Sequence, residues 1–230
     1  MKVRILLVCL SLAAAWKTSP SSAEEPKCNT QRWEKAIARF TTADQTDTPA
    51  HGGIVFVGSS SIVGWKLPEF FPELRPINRG FGGSQICHST HFLQQLVLKH
   101  RPRVVVFYAG DNDVAAGKSA ERVHRDFAAF WARLHKALPE TRLVYIAIKP
   151  SILRWKMAET MQEANRRIAD DCKKDVRLTY IDVWQPMLGE DGQPRQELFR
   201  KDGLHLNHTG YELWTELVRP ALEANSEVGS

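Results

Sequence analysis

Five apolar segments rich in β-branched residues alternate along this chain with amphipathic segments, and this alternation restricts the fold more than any other feature. The clearest apolar segment, residues 103–108, is continuous in the way typical of strands buried on both faces of a sheet. The other four segments cover residues 54–57, 75–78, 143–148 and 178–183. Strands and helices that alternate at this spacing form βαβ units. We therefore predict an α/β fold with one five-stranded parallel sheet between layers of helices.

The segments between the strands carry apolar residues at helical spacing. A first helix is predicted around residues 33–40, where four apolar side chains recur on one face. Ser84, Ser119 and Asn207 each precede a later amphipathic segment, and each can cap a helix by accepting a hydrogen bond from its first turn. The later helices are predicted over residues 84–100, 119–138 and 157–172 and after residue 207.

Residues 54–57 form an apolar segment that stops at Gly58 and is followed by three serines, Ser59, Ser60 and Ser61. Glycine allows a sharp turn where a side chain would clash, so a buried strand can deliver a serine hydroxyl to the surface. Ser60 is the candidate nucleophile. The alternative interpretation is a polar turn that only caps the next helix.

Asp202 and His205 suggest the partners of such a serine. A histidine three residues after an aspartate on a tight loop can donate one ring N–H to the carboxylate and use its other nitrogen to accept a serine proton. A turn aspartate beside an unrelated histidine is the alternative, and His208 is a second candidate for the base. Ligands bind beyond the carboxyl ends of parallel strands, where the glycine-rich and polar segments of this chain converge.

Four short segments stand at that predicted edge of the sheet. They are Gly58-Ser59-Ser60, Asn78-Arg79-Gly80-Phe81-Gly82-Gly83, Gly110-Asp111-Asn112-Asp113 and Asp202-Gly203-Leu204-His205. Together they resemble the four signature blocks of the SGNH (GDSL-like) esterase and lipase family, over residues 53–222. The first block departs from the commonest pattern, because this chain has Ser59 where the family usually has aspartate.

The resemblance implies a flavodoxin-like α/β/α sandwich and a serine ester hydrolase that uses no metal and no cofactor. It makes Ser60 the nucleophile and His205 the base, oriented by Asp202. The oxyanion hole is then formed by the Ser60 backbone N–H with Gly83 and Asn112. The expected substrates are small or medium acyl esters, with acetylated carbohydrate or lysophospholipid as sub-classes. Acyl transfer to a polysaccharide hydroxyl and non-catalytic carbohydrate binding are the alternatives.

Four residues near predicted strand ends are candidates for lining the substrate pocket: Trp65, Lys149, Arg154 and Trp155. Packing at the surface is the alternative for each. The sequence also argues against other ligands. The run from Gly80 to Gln85 lacks the last glycine of a dinucleotide fingerprint, and no cysteine or histidine spacing indicates structural zinc. His88 and His91 are interpreted as packing or surface groups.

The N-terminus has the pattern of a cleavable signal peptide over residues 1–23, which leaves a single domain over residues 24–230. A basic start precedes about eleven apolar residues and then small residues at the cleavage position, and the apolar stretch is too short to span a bilayer. A retained anchor is the alternative. We therefore expect a periplasmic or secreted protein. Cleavage lowers the formal charge from +5 to +2 because residues 1–23 carry three cations and no acid.

No run of lysine and arginine is dense enough to follow a phosphate backbone, so nucleic acid is not expected as a partner. The oligomeric state is left open. An exported protein can form disulfides, and Cys28, Cys87 and Cys172 follow the predicted cleavage site. One disulfide with one free thiol is compatible with this number, as are three single buried cysteines, and the sequence leaves the pairing open.

Overall fold

The β-branched segments form one sheet of five parallel strands, which lies between two layers of helices in the computed structural model. The model describes residues 28–47 and 49–223. The strands are β1 (Ile54–Gly58), β2 (Ile77–Gly80), β3 (Val104–Tyr108), β4 (Arg142–Ile146) and β5 (Leu178–Ile181). Their order in the sheet is β2-β1-β3-β4-β5. This confirms the predicted α/β/α sandwich, and the strand order changes direction between β1 and β3, where sheets of this kind bind ligands.

The helices lie before β1, between successive strands and after β5. They are α1 (Glu34–Thr46), α2 (Ser60–Val63), α3 (Leu67–Phe70), α4 (Ile86–His91), α5 (Leu93–Leu96), α6 (Asp111–Ala115), α7 (Ala120–Ala137), α8 (Ala158–Cys172) and α9 (His208–Glu223). The side chain of Ser119 accepts a hydrogen bond from the Arg122 N–H, and that of Asn207 accepts one from the Gly210 N–H. Both predicted caps are therefore confirmed.

Two hydrophobic cores lie on opposite faces of the sheet, because successive side chains of a strand point to opposite sides. In β3, Val105 and Phe107 face a core built with α1, α4, α5, α7 and α8. Val104, Val106 and Tyr108 face the other core, which is built with α2, α3 and α9. All five residues of β3 are buried, as the continuous apolar segment predicts.

Several predicted boundaries are wrong, each for a local reason. Strand β2 begins two residues late because Arg75 has a φ of 44°, which is not extended backbone. Strand β4 stops at Ile146 instead of residue 148. The backbone N–H and C=O of Ile148 both bond to the side chain of Asn165, at 2.8 Å each, and not to a neighbouring strand.

The predicted helix over residues 84–100 is also wrong in its extent. It is divided into α4, α5 and a 3-10 turn over Leu98–His100. Its cap is Gln85 and not Ser84: Gln85 and His88 form a reciprocal capping box, in which His88 Nδ1 accepts from the Gln85 N–H at 2.9 Å. No proline or glycine marks the break, and the apolar spacing continues across it.

Cys28 and Cys87 form a disulfide, and Cys172 is a buried free cysteine whose thiol pKa is raised by burial to about 12. The structure thus resolves the pairing that the sequence left open. His88 lies beside the disulfide, and its ring approaches the two sulfurs. The sulfurs are bonded to each other, however, and the Nδ1 of His88 is engaged with Gln85, so we interpret this cluster as packing.

The predicted signal peptide, residues 1–23, lies outside the described residues. Among residues 28–47 and 49–223, no helix is both long enough and apolar enough to cross a bilayer.

We expect acid to destabilise the protein through His88. Burial is the main cause that lowers the pKa of His88 to about 4, with help from the Lys118 charge. Between pH 4 and pH 6.5 the folded state therefore binds fewer protons than the unfolded state. The free energy of unfolding is highest above pH 6.5 and decreases as the pH falls toward 4. His88 should account for about 2 kcal/mol of the loss in unfolding free energy between pH 6.5 and 4.5.

Urea unfolding at several pH values measures this effect. The His88→Asn variant keeps an acceptor for the Gln85 N–H but does not titrate, so its stability should depend less on pH than that of the wild type. His91→Asn, on the exposed side of the same helix, is the matched control and should keep the wild-type slope. Equal slopes for the wild type and His88→Asn would contradict the prediction.

Candidate active site

The end of β1 presents Ser60 at the point where the strand order changes direction. Gly58 has a φ of +147°, and a Cβ added to it would lie 1.9 Å from the carbonyl oxygen of Tyr108 in β3. Only glycine therefore allows β1 to run this close to β3. The Ser59 N–H donates to the same Tyr108 oxygen at 3.0 Å, and Ser60 follows as the first residue of α2.

Of the three consecutive serines, Ser60 is the accessible one. Ser59 and Ser61 are 0% and 1% exposed, whereas Ser60 is half-buried. The Ser60 Oγ lies 3.1 Å from the Nε2 of His205, although the two residues are 145 positions apart in the chain. The structure therefore brings together the predicted serine and the predicted histidine.

Asp202 completes a chain of hydrogen bonds. Its Oδ2 lies 2.6 Å from His205 Nδ1, and its Oδ1 accepts the backbone N–H groups of Leu204 and His205 at 2.9 Å each. The bond with the His205 side chain, followed by those from the two backbone N–H groups, holds the pKa of Asp202 well below its usual range. Asp202 is therefore an anion that accepts the Nδ1 proton. The Nε2 of His205 is left to accept the hydroxyl proton of Ser60.

His208, the other candidate base, lies in a different environment. Its ring nitrogens are 3.4 Å from a carboxylate oxygen of Glu69 and 3.3 Å from one of Glu212. The geometry thus places His205, not His208, at Ser60.

The three predicted oxyanion-hole groups lie on the segments that follow β1, β2 and β3. Because Ser60 is the first residue of α2, its N–H has no partner within the helix. Gly83 lies in the turn after β2 with a φ of +72°, and a Cβ on its neighbour Gly82 would lie 4.0 Å from the Cβ of Ser60. Asn112 follows β3 at the adjacent strand end.

The side-chain amide of Asn112 is fixed from two sides. Its Nδ2 donates to the carbonyl of Ser84 at 3.0 Å, and its Oδ1 accepts from Arg154 Nη2 at 2.9 Å. An amide nitrogen carries two hydrogens, so the second N–H of Asn112 is available to a ligand. The donor is a neutral amide, which can donate to a negatively charged oxygen.

Asp113 connects the segments that contain these donors. Its carboxylate accepts the backbone N–H of Ile86, at 3.2 and 3.3 Å, and a proton of Lys118 Nζ at 2.7 Å. Burial raises the pKa of Asp113 to about 6, against the opposing effect of Lys118. Asp113 thus connects α6 with the first residue of α4 from a buried position.

Two of the four candidates for the substrate pocket are wrong. Trp65 is 1% exposed and packs among Phe56, Phe71 and Trp214 in the core. Lys149 is also 1% exposed, with its Nζ 3.8 Å from the Asp111 carboxylate, and burial lowers its pKa. Their positions after predicted strands suggested exposure, but the side chains point into the protein.

The other two candidates lie close to the site. Arg154 contacts the carboxylate of Asp111 at 3.0 Å as well as the amide of Asn112, so its guanidinium is directed at the oxyanion-hole segment. Trp155 lines a cavity of about 600 Å³ that also contacts Asp202. The cavity's other apolar lining residues include Ile152, Leu153 and Phe199.

One contact to the oxyanion-hole segment has no signal in the sequence. The indole Nε1 of Trp33 donates to the carbonyl oxygen of Gly82 at 2.9 Å. Trp33 has helical spacing with other apolar residues, and this pattern predicts only packing on the sheet.

A family model described as the GDSL-like Lipase/Acylhydrolase family matches residues 52–213. No protein of curated function matches the chain. Among solved structures, a GDSL-like lipase from Bacteroides thetaiotaomicron is 25% identical, with a TM-score of 0.71, and the match covers 82% of this chain and 97% of that one.

Two further solved structures share the fold at lower identity. The lipase/acylhydrolase from Enterococcus faecalis is 21% identical, with a TM-score of 0.61, over 75% of this chain and 96% of that chain. A carbohydrate esterase family 3 protein from Talaromyces cellulolyticus is 17% identical, with a TM-score of 0.62, over 75% and 97%.

Proposed function

Because the chain belongs to the GDSL-like lipase/acylhydrolase family, we propose that it is a serine ester hydrolase with Ser60 as nucleophile, His205 as base and Asp202 as the orienting acid. The observation that carries this proposal is the continuous chain of hydrogen bonds from Ser60 Oγ through the His205 ring to Asp202. The serine and histidine are half-buried at the edge of the sheet, where an ester can reach them.

The reaction follows from this geometry. His205 Nε2 takes the Ser60 proton while Oγ forms a bond to the ester carbonyl carbon, and the carbonyl oxygen becomes negatively charged. The N–H groups of Ser60, Gly83 and Asn112 donate to that oxygen. When the carbon–oxygen bond to the alcohol breaks, His205 returns the proton to the alcohol. Water then loses a proton to His205 and attacks the acyl carbon; when the bond to Ser60 Oγ breaks, His205 gives that proton to Oγ, which releases the carboxylic acid and regenerates the Ser60 hydroxyl.

We propose small or medium acyl esters as the substrate class. The cavity beside Asp202 combines Trp155 and other apolar side chains with Gln193 and Gln196, so it can receive the alcohol portion of an ester. Acetylated carbohydrate suits this mixture of aromatic and amide groups, and a structure of this fold is a carbohydrate esterase. Lysophospholipid is the second sub-class.

We also propose that the protein is exported, to the periplasm or the medium, after cleavage of residues 1–23. The Cys28–Cys87 disulfide supports this proposal, because such bonds persist in oxidising compartments. The disulfide would be retained in the chain after cleavage.

Hydrolysis of p-nitrophenyl acetate tests the proposed function, with an acetylated xylo-oligosaccharide as a second substrate. We expect release of acetate in amounts that match the alcohol released. With xylo-oligosaccharide added as an acceptor, acetylated sugar that exceeds acetate would show an acyltransferase instead. No turnover of any ester tested, by a protein that is folded, would contradict an enzymatic role and favour carbohydrate binding alone.

A further inference from the structure

Trp33 contacts the turn that follows β2 and contains Gly82 and Gly83. Its indole is only 8% exposed and packs on the ring of His88, with centroids 3.9 Å apart. Its Nε1 donates to the carbonyl oxygen of Gly82 at 2.9 Å. A Cβ added to Gly82 would lie 4.0 Å from the Cβ of Ser60, so this turn also borders the candidate nucleophile.

The planarity of the peptide bond links this contact to the oxyanion hole. In a trans peptide, the C=O of one residue and the N–H of the next point in opposite directions. The described chain contains no cis peptide bonds. Because Trp33 Nε1 donates to the Gly82 carbonyl, the N–H of Gly83 is directed away from Trp33. We propose that Trp33 is a positioning residue that aims the Gly83 N–H at the oxyanion, an inference that rests on the proposed function.

The disulfide holds Trp33 in place. Cys28 lies five residues before Trp33, and its partner Cys87 lies in α4, next to the His88 ring on which Trp33 packs. The N-terminal segment is thereby attached to the helix that follows the Gly83 turn. The inference thus extends to the Cys28–Cys87 disulfide, which acts on catalysis through Trp33.

The Trp33→Phe variant tests this role because it removes the donor and keeps an aromatic ring. Loss of one whole oxyanion-hole donor costs about 10²- to 10³-fold in kcat. A donor that is present but misaligned should reduce kcat by less than a missing donor does. We therefore expect kcat for p-nitrophenyl acetate to fall about 10-fold, with KM within about 2-fold of the wild-type value. Affinity for phenylboronic acid, which forms a tetrahedral adduct with the serine, should fall in parallel.

Trp131→Phe is the matched control, since Trp131 is a half-buried tryptophan of α7 that stacks on His135 away from the site. It should keep the wild-type kcat. An unchanged kcat for a folded Trp33→Phe variant, beside a wild type that is active and a Ser60→Ala variant that is not, would overturn the inference but leave the proposed function intact. An inactive wild type would overturn both.

Reduction tests the part played by the disulfide. Dithiothreitol converts Cys28–Cys87 to two thiols and is itself oxidised to its cyclic disulfide. If the disulfide acts through Trp33, reduction should lower the kcat of the wild type several-fold and add little to the effect of Trp33→Phe. Circular dichroism establishes that the reduced protein remains folded. If reduction lowered kcat by the same factor in the wild type and in Trp33→Phe, the disulfide would act by a route other than Trp33. That result would overturn the role proposed for the disulfide.

A separate observation assigns a similar role to Arg154. Its Nη2 holds the Oδ1 of Asn112, its Nη1 lies 3.0 Å from Asp111, and its side chain is 15% exposed. We propose that Arg154 is the positioning residue for the Asn112 amide: it prevents the amide from turning its oxygen toward the developing negative charge.

The Arg154→Met variant should lower kcat about 10- to 100-fold with KM nearly constant. This loss is smaller than that expected from complete removal of the Asn112 donor, because the amide remains but is no longer held in place. Arg219→Met is the matched control, because Arg219 also binds a carboxylate, of Glu73, and a carbonyl, of Phe70, but lies outside the site. Equal kcat losses in the two variants, or a change confined to KM in Arg154→Met, would overturn this assignment.

Discussion

The Ser60→Ala variant will hydrolyse p-nitrophenyl acetate with a kcat about 10⁴- to 10⁶-fold below that of the wild type. Ser60 is the hydroxyl that reaches His205 Nε2, at 3.1 Å, and alanine leaves no atom to form the acyl intermediate. The residual rate enhancement over the uncatalysed reaction should come from the oxyanion hole and from substrate binding alone. Initial rates at saturating ester measure the effect, with the protein concentration determined by absorbance and the folded state checked by circular dichroism.

Ser59→Ala and Ser61→Ala are the matched controls. Both serines flank Ser60 and are almost completely buried, so neither hydroxyl can reach an ester. Each variant should keep kcat within about 3-fold of the wild type. A Ser60→Ala variant with more than a tenth of the wild-type rate, or a comparable loss in either neighbour, would assign the nucleophile to another residue.

The Asp202→Asn variant should lower kcat about 10³- to 10⁴-fold with little change in KM. The amide oxygen can still accept the backbone N–H groups of Leu204 and His205, so the turn is preserved. The amide N–H, however, would face His205 Nδ1 and favour the tautomer that carries its proton on Nε2. That tautomer cannot accept the proton of Ser60.

The low pKa of Asp202 also predicts how the loss of activity in Asp202→Asn depends on pH. Because hydrogen bonds from His205 and the backbone stabilise the carboxylate, Asp202 stays ionised throughout the range from pH 5 to pH 9. The loss in Asp202→Asn should therefore be present across that range. Asp182→Asn is the control, since Asp182 also accepts a backbone N–H two residues ahead, from Trp184, but does not contact the site. Similar rates for the two variants would contradict the role of Asp202.

The sheet and the location of the site could be predicted from the sequence because both depend on local patterns. Continuous β-branched segments form buried strands, and parallel strands bring their carboxyl ends to one edge. Ser60 and Asn112 follow adjacent strands, so topology alone places them near each other. The spacing from Asp202 suggests that His205 is an oriented base, the resemblance of the four blocks to the esterase family pairs it with Ser60, and the structure brings the two residues into contact.

The supporting contacts could not be predicted, because they depend on side-chain directions across the molecule. Nothing in the spacing of the cysteines selects Cys28 and Cys87 as partners, and a tryptophan at helical spacing predicts only packing. Trp65 and Lys149 follow strand ends but point into the core, where aromatic rings or the Asp111 carboxylate receive them. Arg154, expected at the substrate pocket, contacts Asn112 instead.

Covalent labelling tests whether His205 and Asp202 make Ser60 a nucleophile. The wild-type protein would be treated with a fluorophosphonate, digested, and analysed by tandem mass spectrometry that resolves the three consecutive serines. We expect a single phosphonyl adduct on the Ser60 Oγ, absent from Ser60→Ala and formed far more slowly in Asp202→Asn. An adduct on any other residue, or undiminished labelling of Ser60→Ala, would contradict it.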